Sequence, residues 1–307
     1  MPSPRGALIG AWLQAARPLA QLNIAPPLLL GQALAYATHG SFGLGWLLIA
    51  QSFGVVDQLF IVFANDAADW RSDAANSTYN RYSGGSRVVS EGKLSPRALK
   101  RAAWGMGIVL LGGSALVGLV AERPTLPLLA ALAVLLLWAY SYPPLRLSYR
   151  GGGEFLQALG VGAVLPVVGF YLQAGSLEQI PWLALVPSLL LGWAGNLTTA
   201  LPDAPSDRAA GKRTFAVRRG ELRARRASLA GLLLATAATP WVLRGASPLA
   251  LVCSMLVPLV LVVLNGSQIR SADADNHAAC ERFVLLNGAS IGALYFGWSA
   301  VLFALGP

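Results

Sequence analysis

The sequence predicts an all-α membrane protein, a polytopic bundle of nine transmembrane helices. Of its 307 residues, 55% are hydrophobic and only 12% are charged, whereas a soluble domain carries about 25% charged residues. Nine apolar segments approach the roughly 20 residues that a helix needs to cross a bilayer. The sequence lacks the alternating pattern of a membrane β-barrel. Because a lipid-embedded backbone must satisfy its own hydrogen bonds, we expect the spans to be helices.

The distribution of basic residues gives the expected orientation. The predicted spans are 18–38, 43–66, 102–121, 125–142, 153–175, 181–202, 227–243, 246–265 and 283–305. Of the 23 Lys and Arg residues, only Arg123 and Arg244 fall outside the N-terminal arm, the loops after even-numbered spans and the residues bordering those loops. The positive-inside rule therefore predicts a cytoplasmic N-terminus. Because no loop is long enough for a separate soluble domain, residues 1–307 are expected to form one membrane domain.

The strong positive charge has two interpretations. The formal net charge is +9, which fits either a nucleic-acid partner or basic loops that face an anionic membrane surface. Because the basic residues follow the loops of a hydrophobic chain, the membrane interpretation is favoured and no nucleic-acid partner is expected. The two cysteines form no disulfide framework.

The first acidic motif follows the second apolar segment. Asn65, Asp66, Asp69 and Asp73 fall within nine residues, and spacings of three and four place the carboxylates on one face of a helix. Such a cluster is self-repulsive unless a cation neutralises it. Oxygen ligands suit Mg²⁺, which commonly binds through carboxylates together with substrate phosphates.

A second acidic motif follows the sixth segment. Asp203 and Asp207 are four residues apart, and Lys212 comes soon after them. Since both motifs follow even-numbered spans, they are expected on the same side of the membrane. The motif loops, about 67–97 and 203–226, would cap a shared site. The alternative is that each motif is only a solvated acidic loop near the membrane.

Both motifs resemble those of a known family. Asn65 to Asp73, and Asp203 to Thr214, resemble the acidic motifs of the UbiA-type intramembrane prenyltransferases. Three further segments resemble the branch of 1,4-dihydroxy-2-naphthoate prenyltransferases in menaquinone synthesis: Gly84-Gly85-Ser86-Arg87, Tyr140-Ser141-Tyr142-Pro143 and Leu147-Ser148-Tyr149-Arg150-Gly151.

The resemblance implies a UbiA-like fold and Mg²⁺-dependent transfer of a polyprenyl group from its diphosphate to an aromatic acceptor. It implies a plasma (inner) membrane enzyme with its site on the cytoplasmic side. The acceptor that the resemblance implies is 1,4-dihydroxy-2-naphthoate, with 4-hydroxybenzoate as an alternative. A third alternative is a terpene cyclase, which needs no acceptor. The sequence does not indicate the oligomeric state. The expected metal and catalytic set is Asp66, Asp69, Asp73, Asp203 and Asp207, with Asn65 as a neutral metal ligand or orienting group.

Basic residues near the motifs are candidates for binding the diphosphate. A guanidinium grips phosphate oxygens as a fork, and a lysine acts as a point charge. The candidates are Arg87, Lys93, Arg146 and Lys212. Each of them alternatively serves only to fix the topology.

Aromatic and buried acidic residues complete the predicted substrate site. An aromatic face stabilises a cation within about 6 Å, so Tyr140, Tyr142 and Tyr149 are candidates for contacting an allylic carbocation; the alternative is interfacial anchoring. Asp57 lies inside the second span, where a carboxylate is costly and commonly functional. It either orients a substrate hydroxyl or bonds to a polar residue of a neighbouring helix, such as Gln21, Asn23 or Gln32.

A secondary transporter is the competing hypothesis from a different class. Its intramembrane carboxylates would bind a coupling ion, but such sites lie near the bilayer midplane. Here the carboxylates are expected at one membrane edge beside basic residues, which fits a diphosphate better.

Overall fold

Helices make up the architecture of residues 4–80 and 82–306, which the computed structural model describes; these residues contain no strand. Arg81, one of the basic residues in the topology count, lies outside them. The α-helices are α1 (Pro4–Ala16), α2 (Ala25–His39), α3 (Leu44–Ala75), α4 (Pro96–Val120), α5 (Leu126–Ser141), α6 (Leu147–Arg150), α7 (Gly153–Leu159), α8 (Leu165–Ala174), α9 (Leu185–Thr199), α10 (Ala204–Ala209), α11 (Phe215–Arg219), α12 (Glu221–Ala237), α13 (Thr239–Val242), α14 (Pro248–Ser267) and α15 (His277–Leu305).

Each predicted span coincides with helical structure. The first contains a 3₁₀ segment, Pro18–Asn23, followed by α2, and the fifth joins α7 to α8 through the π-helical turn Gly160–Val164. Within the described residues, five helical units are long and apolar enough to cross a membrane, and α5 is a shorter apolar helix. The five units are α3, α4, α7–α8, α14 and α15. A total of nine crossings and a cytoplasmic N-terminus remain predictions.

One helix, α1, was not anticipated from the sequence. It packs against the half of α3 that carries the first acidic motif, where Ala15 is buried and the Trp12 ring lies edge-on to Phe63 with centroids 5.7 Å apart. The amide of Gln14 donates to Ser86 O at 2.8 Å. The N-terminal segment is therefore attached both to α3 and to the loop that follows it.

A buried polar network fixes the register of the C-terminal helices. Asn287 on α15 donates to Thr198 Oγ1 on α9 at 2.5 Å and to Ser228 Oγ on α12 at 2.6 Å. Asn265 on α14 donates to Asn287 Oδ1 at 2.9 Å. Buried polar groups are stable only when they are paired in this way. Because α9 ends at Thr199, the network also positions the start of the second acidic motif.

The outer faces of α4 and α14 expose large apolar side chains. Trp104 and Leu119 on α4, and Leu249 and Val263 on α14, are each at least two-thirds exposed. Soluble monomers rarely present apolar surface on this scale. These faces are therefore suited to contact with lipid.

Candidate active site

The three carboxylates of the first motif occupy the last turns of α3. Asp66 and Asp69 are buried, and Asp73 is partly exposed. The helix ends because Asn76 is extended, and its N–H closes the last turn on Asp73 O at 3.2 Å. Asp73 lies within electrostatic reach of Asp66, Asp69 and Asp203. The structure therefore brings both motifs together, as the sequence predicts.

Asp66 presents one oxygen without a hydrogen-bond partner. Its Oδ2 accepts the Ser86 N–H at 3.1 Å, while Oδ1 is buried and receives no hydrogen bond. Arg17 lies 3.9 Å from Oδ1. Arg17 was predicted only as one of the basic residues of the N-terminal arm, because nothing in the sequence indicates that the chain before α2 returns to α3.

Lys212 joins the two motifs directly. Its Nζ lies 3.1 Å from Asp69 Oδ2 and 3.1 Å from Asp207 Oδ1. The Tyr149 hydroxyl donates to the other oxygen of Asp69 at 3.0 Å, and Lys212 Nζ lies 5.0 Å from the centre of the Tyr149 ring. A lysine and a tyrosine thus converge on one carboxylate of α3.

Asp203 is held by the loop after α3. Its Oδ1 accepts from the Asn76 amide at 2.7 Å, and its Oδ2 accepts the Gly84 N–H at 3.3 Å. The Thr78 hydroxyl donates to Pro202 O at 2.5 Å. Asn76 was not among the predicted site residues; an asparagine just past the motif was the only available signal, and it is common in loops.

Burial and neighbouring charges together shift the pKa values of the groups outside the spans. Burial, together with the charge of Asp207, raises the pKa of Asp203 to about 6. Burial also raises the pKa of Asp207, although Lys212 opposes the shift. Burial would lower the pKa of Lys212, but the neighbouring Asp69 and Asp207 outweigh it and raise the pKa. An excess of buried carboxylates would be stabilised by a further cation.

The oxygens around Asp66 fit a small divalent ion. A cavity of about 10 Å³, bordered by Asp66, Asp73 and Ser86, offers about the space of one water molecule. Both Asp66 Oδ1 and Ser86 Oγ are buried beside it without hydrogen-bond partners. In the described part of the chain, no three acidic, His or Cys side chains already surround one metal position. Lys212 currently occupies the space between Asp69 and Asp207.

Three further predicted residues, Arg146, Tyr140 and Tyr142, lie near the contact between Lys212 and Tyr149. The Arg146 guanidinium stacks 3.5 Å above the Tyr149 ring. Tyr140 lies against Asn196 and within electrostatic reach of Lys212. Tyr142 is at the edge of this group, where its hydroxyl donates to Ala64 O at 2.8 Å.

Two other predicted site residues, Arg87 and Asn65, make contacts that hold α3 in place. Arg87 donates to Asp73 O at 2.8 Å and stacks 3.9 Å above the Tyr79 ring, so it holds the end of α3. Asn65 accepts from the Ser141 hydroxyl at 3.2 Å, which ties α3 to α5.

Lys93 lies at the surface and contacts none of the carboxylates of the two acidic motifs. It pairs with Glu91 at 2.6 Å and donates to Gln14 at 2.7 Å. The structure therefore does not bring Lys93 into the cluster, and its predicted role in binding the diphosphate has no geometric support.

Asp57 is buried and unpartnered. Its Oδ1 accepts no hydrogen bond from the described residues. Gln32, one of its suggested partners, instead donates to Trp46 O at 3.3 Å. The interpretation in which Asp57 bonds to a neighbouring helix therefore has no contact to support it, and its carboxyl remains available to a ligand.

Comparisons with known proteins identify the family of the chain. A sequence model of the UbiA prenyltransferase family matches residues 24–304. A Mycobacterium tuberculosis protein named 1,4-dihydroxy-2-naphthoate octaprenyltransferase is 30% identical over 253 residues, covering 78% of this chain and 83% of that protein. A Haemophilus influenzae protein of the same name is 30% identical over 229 residues, covering 70% of each chain.

Solved structures show the same fold. A UbiA homolog from Archaeoglobus fulgidus bound to DMAPP and Mg²⁺ matches with a TM-score of 0.68 at 16% identity, covering 96% of this chain and 98% of that chain. The apo UbiA homolog from Aeropyrum pernix K1 matches with a TM-score of 0.68 at 18% identity, covering 92% and 97%. The all-α, UbiA-like fold predicted from the sequence is confirmed.

The family match extends over both acidic motifs and all five long apolar helices. It favours the enzyme over the transporter hypothesis. The chain is an integral membrane prenyltransferase, and it belongs to the UbiA prenyltransferase family.

Proposed function

We propose that this protein transfers a polyprenyl group from a prenyl diphosphate to 1,4-dihydroxy-2-naphthoate in an Mg²⁺-dependent reaction. The observation that carries the proposal is the convergence of five carboxylates and one lysine from two distant motifs. The acceptor is supported by the names of the relatives, each described as a 1,4-dihydroxy-2-naphthoate octaprenyltransferase. An Archaeoglobus homolog of the same fold was solved with DMAPP and Mg²⁺.

The carboxylates would hold the metal. Asp66 and Asp73 border the small cavity, and Asp69, Asp203 and Asp207 lie around Lys212 and the adjoining loop. Asn65 stays a candidate neutral ligand or orienting group. Bound Mg²⁺ would neutralise the diphosphate and help it to leave.

Basic side chains of the chain would bind the remaining phosphate charge. Lys212 stands among the carboxylates, and Arg17 reaches the same region from the other side of Asp66. Arg146 is held close by its stacking on Tyr149. We place Arg87 behind the site, where it holds the end of α3, and Lys93 outside it.

The transfer balances without an external redox partner. The allylic C–O bond of the donor breaks, and its electron pair leaves with the diphosphate. The ring carbon that bears the carboxylate supplies the pair for the new C–C bond, and departure of that carboxylate as CO₂ leaves its bonding pair in the ring and restores the aromatic system. The faces of Tyr140 and Tyr149 would stabilise the allylic cation, and Asp57 would accept a hydrogen bond from an acceptor hydroxyl.

The membrane arrangement follows from the same chemistry. We place the site at the cytoplasmic edge of the bacterial inner membrane, with nine crossings, because the basic residues follow the even-numbered apolar segments. An edge position suits the diphosphate, which cannot be buried in lipid without charged partners. The prenyl tail gains roughly 0.8 kcal/mol per buried CH₂. It should therefore extend into the bundle between the helices.

Purified protein in lipid nanodiscs, incubated with a labelled prenyl diphosphate and a panel of acceptors, tests the proposal. We expect prenylated naphthoquinol and released pyrophosphate with Mg²⁺, and neither product with EDTA. Prenylation of 4-hydroxybenzoate in place of the naphthoate would overturn the acceptor assignment. Cyclised product formed without any acceptor would overturn the transfer reaction itself.

A further inference from the structure

Glu154 is a buried carboxylate beside the site that no part of the proposed chemistry uses. It lies in the first turn of α7 and is only 7% exposed. Its Oε2 accepts the Gly152 N–H at 3.2 Å, and its Oε1 accepts the Phe215 N–H at 2.5 Å. One oxygen thus caps its own helix, while the other crosses to a segment 61 residues further along the chain.

The segment that Glu154 reaches is the one that carries Lys212. Phe215 begins α11, three residues after Lys212. A second bond runs parallel to the first, because the Arg213 N–H donates to Tyr149 O at 2.9 Å. The backbone is therefore anchored at residues 213 and 215, immediately after Lys212.

The same short stretch also contacts Asp69. The hydroxyl of Tyr149 donates to Asp69 Oδ1, while Lys212 Nζ bonds to Asp69 Oδ2. Residues 149–154 therefore contact both the lysine-bearing loop and the carboxylate that the lysine binds. The bonds from residues 149–154 to Asp69 and to the backbone of residues 213 and 215 therefore help to set the distance between Lys212 and Asp69.

We infer that Glu154 is a positioning residue that sets the location of Lys212 for binding the diphosphate, an inference that rests on the proposed function. Glu154 touches no reacting atom and acts through the backbone of residues 213–215. A charged acceptor suits this task, because hydrogen bonds to an ionised group are shorter and stronger than neutral ones. Alanine or glutamine at this position leaves at least one of the two N–H groups without an acceptor.

The test compares Glu154→Gln, Lys212→Ala and the double variant. Glu154→Gln keeps the size of the side chain but removes its charge and one acceptor oxygen. We expect the KM for the prenyl diphosphate to rise roughly tenfold, the cost of one hydrogen bond to a charged group, with a much smaller change in kcat. In the Lys212→Ala background, the same substitution should change KM less than twofold.

Gln173→Ala provides the matched control. Gln173 is a buried side chain that accepts the Gly43 N–H at 2.9 Å and donates to Gly43 O at 3.1 Å, so it also clamps a loop. Because that loop is at the opposite end of α3 from the acidic motif, Gln173→Ala should lower the melting temperature and leave KM unchanged, with or without Lys212. If the rise in KM of the double variant equalled the product of the rises in the two single variants, the inference would be overturned.

Hydrogen–deuterium exchange gives a readout that does not need turnover. In Glu154→Gln, the peptide spanning residues 211–217 should exchange faster, while Gln173→Ala leaves that peptide protected. Unchanged exchange in Glu154→Gln would overturn the positioning role. If wild-type protein transfers no prenyl group to any acceptor, the proposed function fails, yet the exchange comparison still decides whether Glu154 holds this segment.

Discussion

Lys212 and Asp69 form a buried ion pair with Nζ 3.1 Å from Oδ2, across a separation of 143 residues. The same ammonium contacts Asp207 at 3.1 Å. Lys212 therefore serves as a counter-ion to one carboxylate of each motif.

Lys212→Met should destabilise the metal-free protein. Removing one partner of a buried ion pair leaves uncompensated charge and costs about 3 kcal/mol. We expect a lower melting temperature in EDTA and a larger stabilisation by Mg²⁺ than in wild type, because the cation replaces the lost ammonium. Lys100→Met, an exposed lysine on α4, serves as the control. Equal melting temperatures for both variants in EDTA would contradict the role of Lys212 as counter-ion.

Lys212→Ala should weaken binding of every prenyl diphosphate by a similar factor. Lys212 contacts carboxylates of both motifs and would face the diphosphate, whereas we expect apolar helix residues to determine which chain length is preferred. KM values for ten-carbon and twenty-carbon donors check this expectation, and they should rise in parallel. A changed preference between the two donors, with overall affinity intact, would mean that Lys212 shapes the tail tunnel.

Asp69→Asn should abolish most turnover while the protein stays folded. The variant removes an anionic metal ligand and the acceptor that pairs with Lys212 and Tyr149. We expect a loss of at least about 100-fold, the scale seen when one preorganised electrostatic group is removed. Turnover at saturating Mg²⁺ and a size-exclusion profile provide the measurement. Asp275→Asn, at an exposed position, is the control, and Asp73→Asn should have a milder effect.

Asn76→Ala should loosen the connection between the two motifs. Asn76 donates the 2.7 Å hydrogen bond to Asp203, and its own oxygen orders Thr78. We expect roughly tenfold lower turnover, consistent with the loss of a hydrogen bond to a charged group, and a higher Mg²⁺ concentration for half-maximal rate. Asn276→Ala, which removes the N-cap of α15, should reduce stability and leave the Mg²⁺ requirement unchanged. If Asn76→Ala reached its half-maximal rate at the same Mg²⁺ concentration as wild type, Asp203 would not need the hydrogen bond from Asn76.

Reporter fusions test the orientation. Because the basic residues concentrate after even-numbered spans, fusions after residues 75 and 215 should both report the cytoplasm, and a C-terminal fusion should report the outside. Opposite locations for the first two fusions would be incompatible with a site shared by both motifs.

The helices and the meeting of the motifs could be predicted because they follow from local patterns. Apolar segments of sufficient length mark helices, and the spacing of Asp66, Asp69 and Asp73 fixes their common face. The charge distribution predicted that the second motif lies on the same side, and the structure places Lys212 between Asp69 and Asp207.

The contacts that complete the site could not be predicted, because they depend on how loops return. No periodicity indicates that Arg17 approaches Asp66, or that Asn76 crosses to Asp203. Arg87 and Lys93 were both candidates for binding the diphosphate because of their position near the motif, with a purely topological role as the alternative. Arg87 instead binds a helix-end carbonyl and Lys93 pairs with Glu91, since each loop charge takes the partner that the local backbone path brings closest.

The long separation between Asp69 and Lys212 has a consequence for biosynthesis. At a synthesis rate of about 5–20 residues per second, roughly 7 to 30 seconds pass between the two residues leaving the ribosome. During that interval α3 ends in three carboxylates without their lysine counter-ion, so this end of the helix must stay hydrated while later helices are inserted. A nascent chain that stops before Lys212 would keep Asp69 without the ammonium that pairs with it in the complete protein.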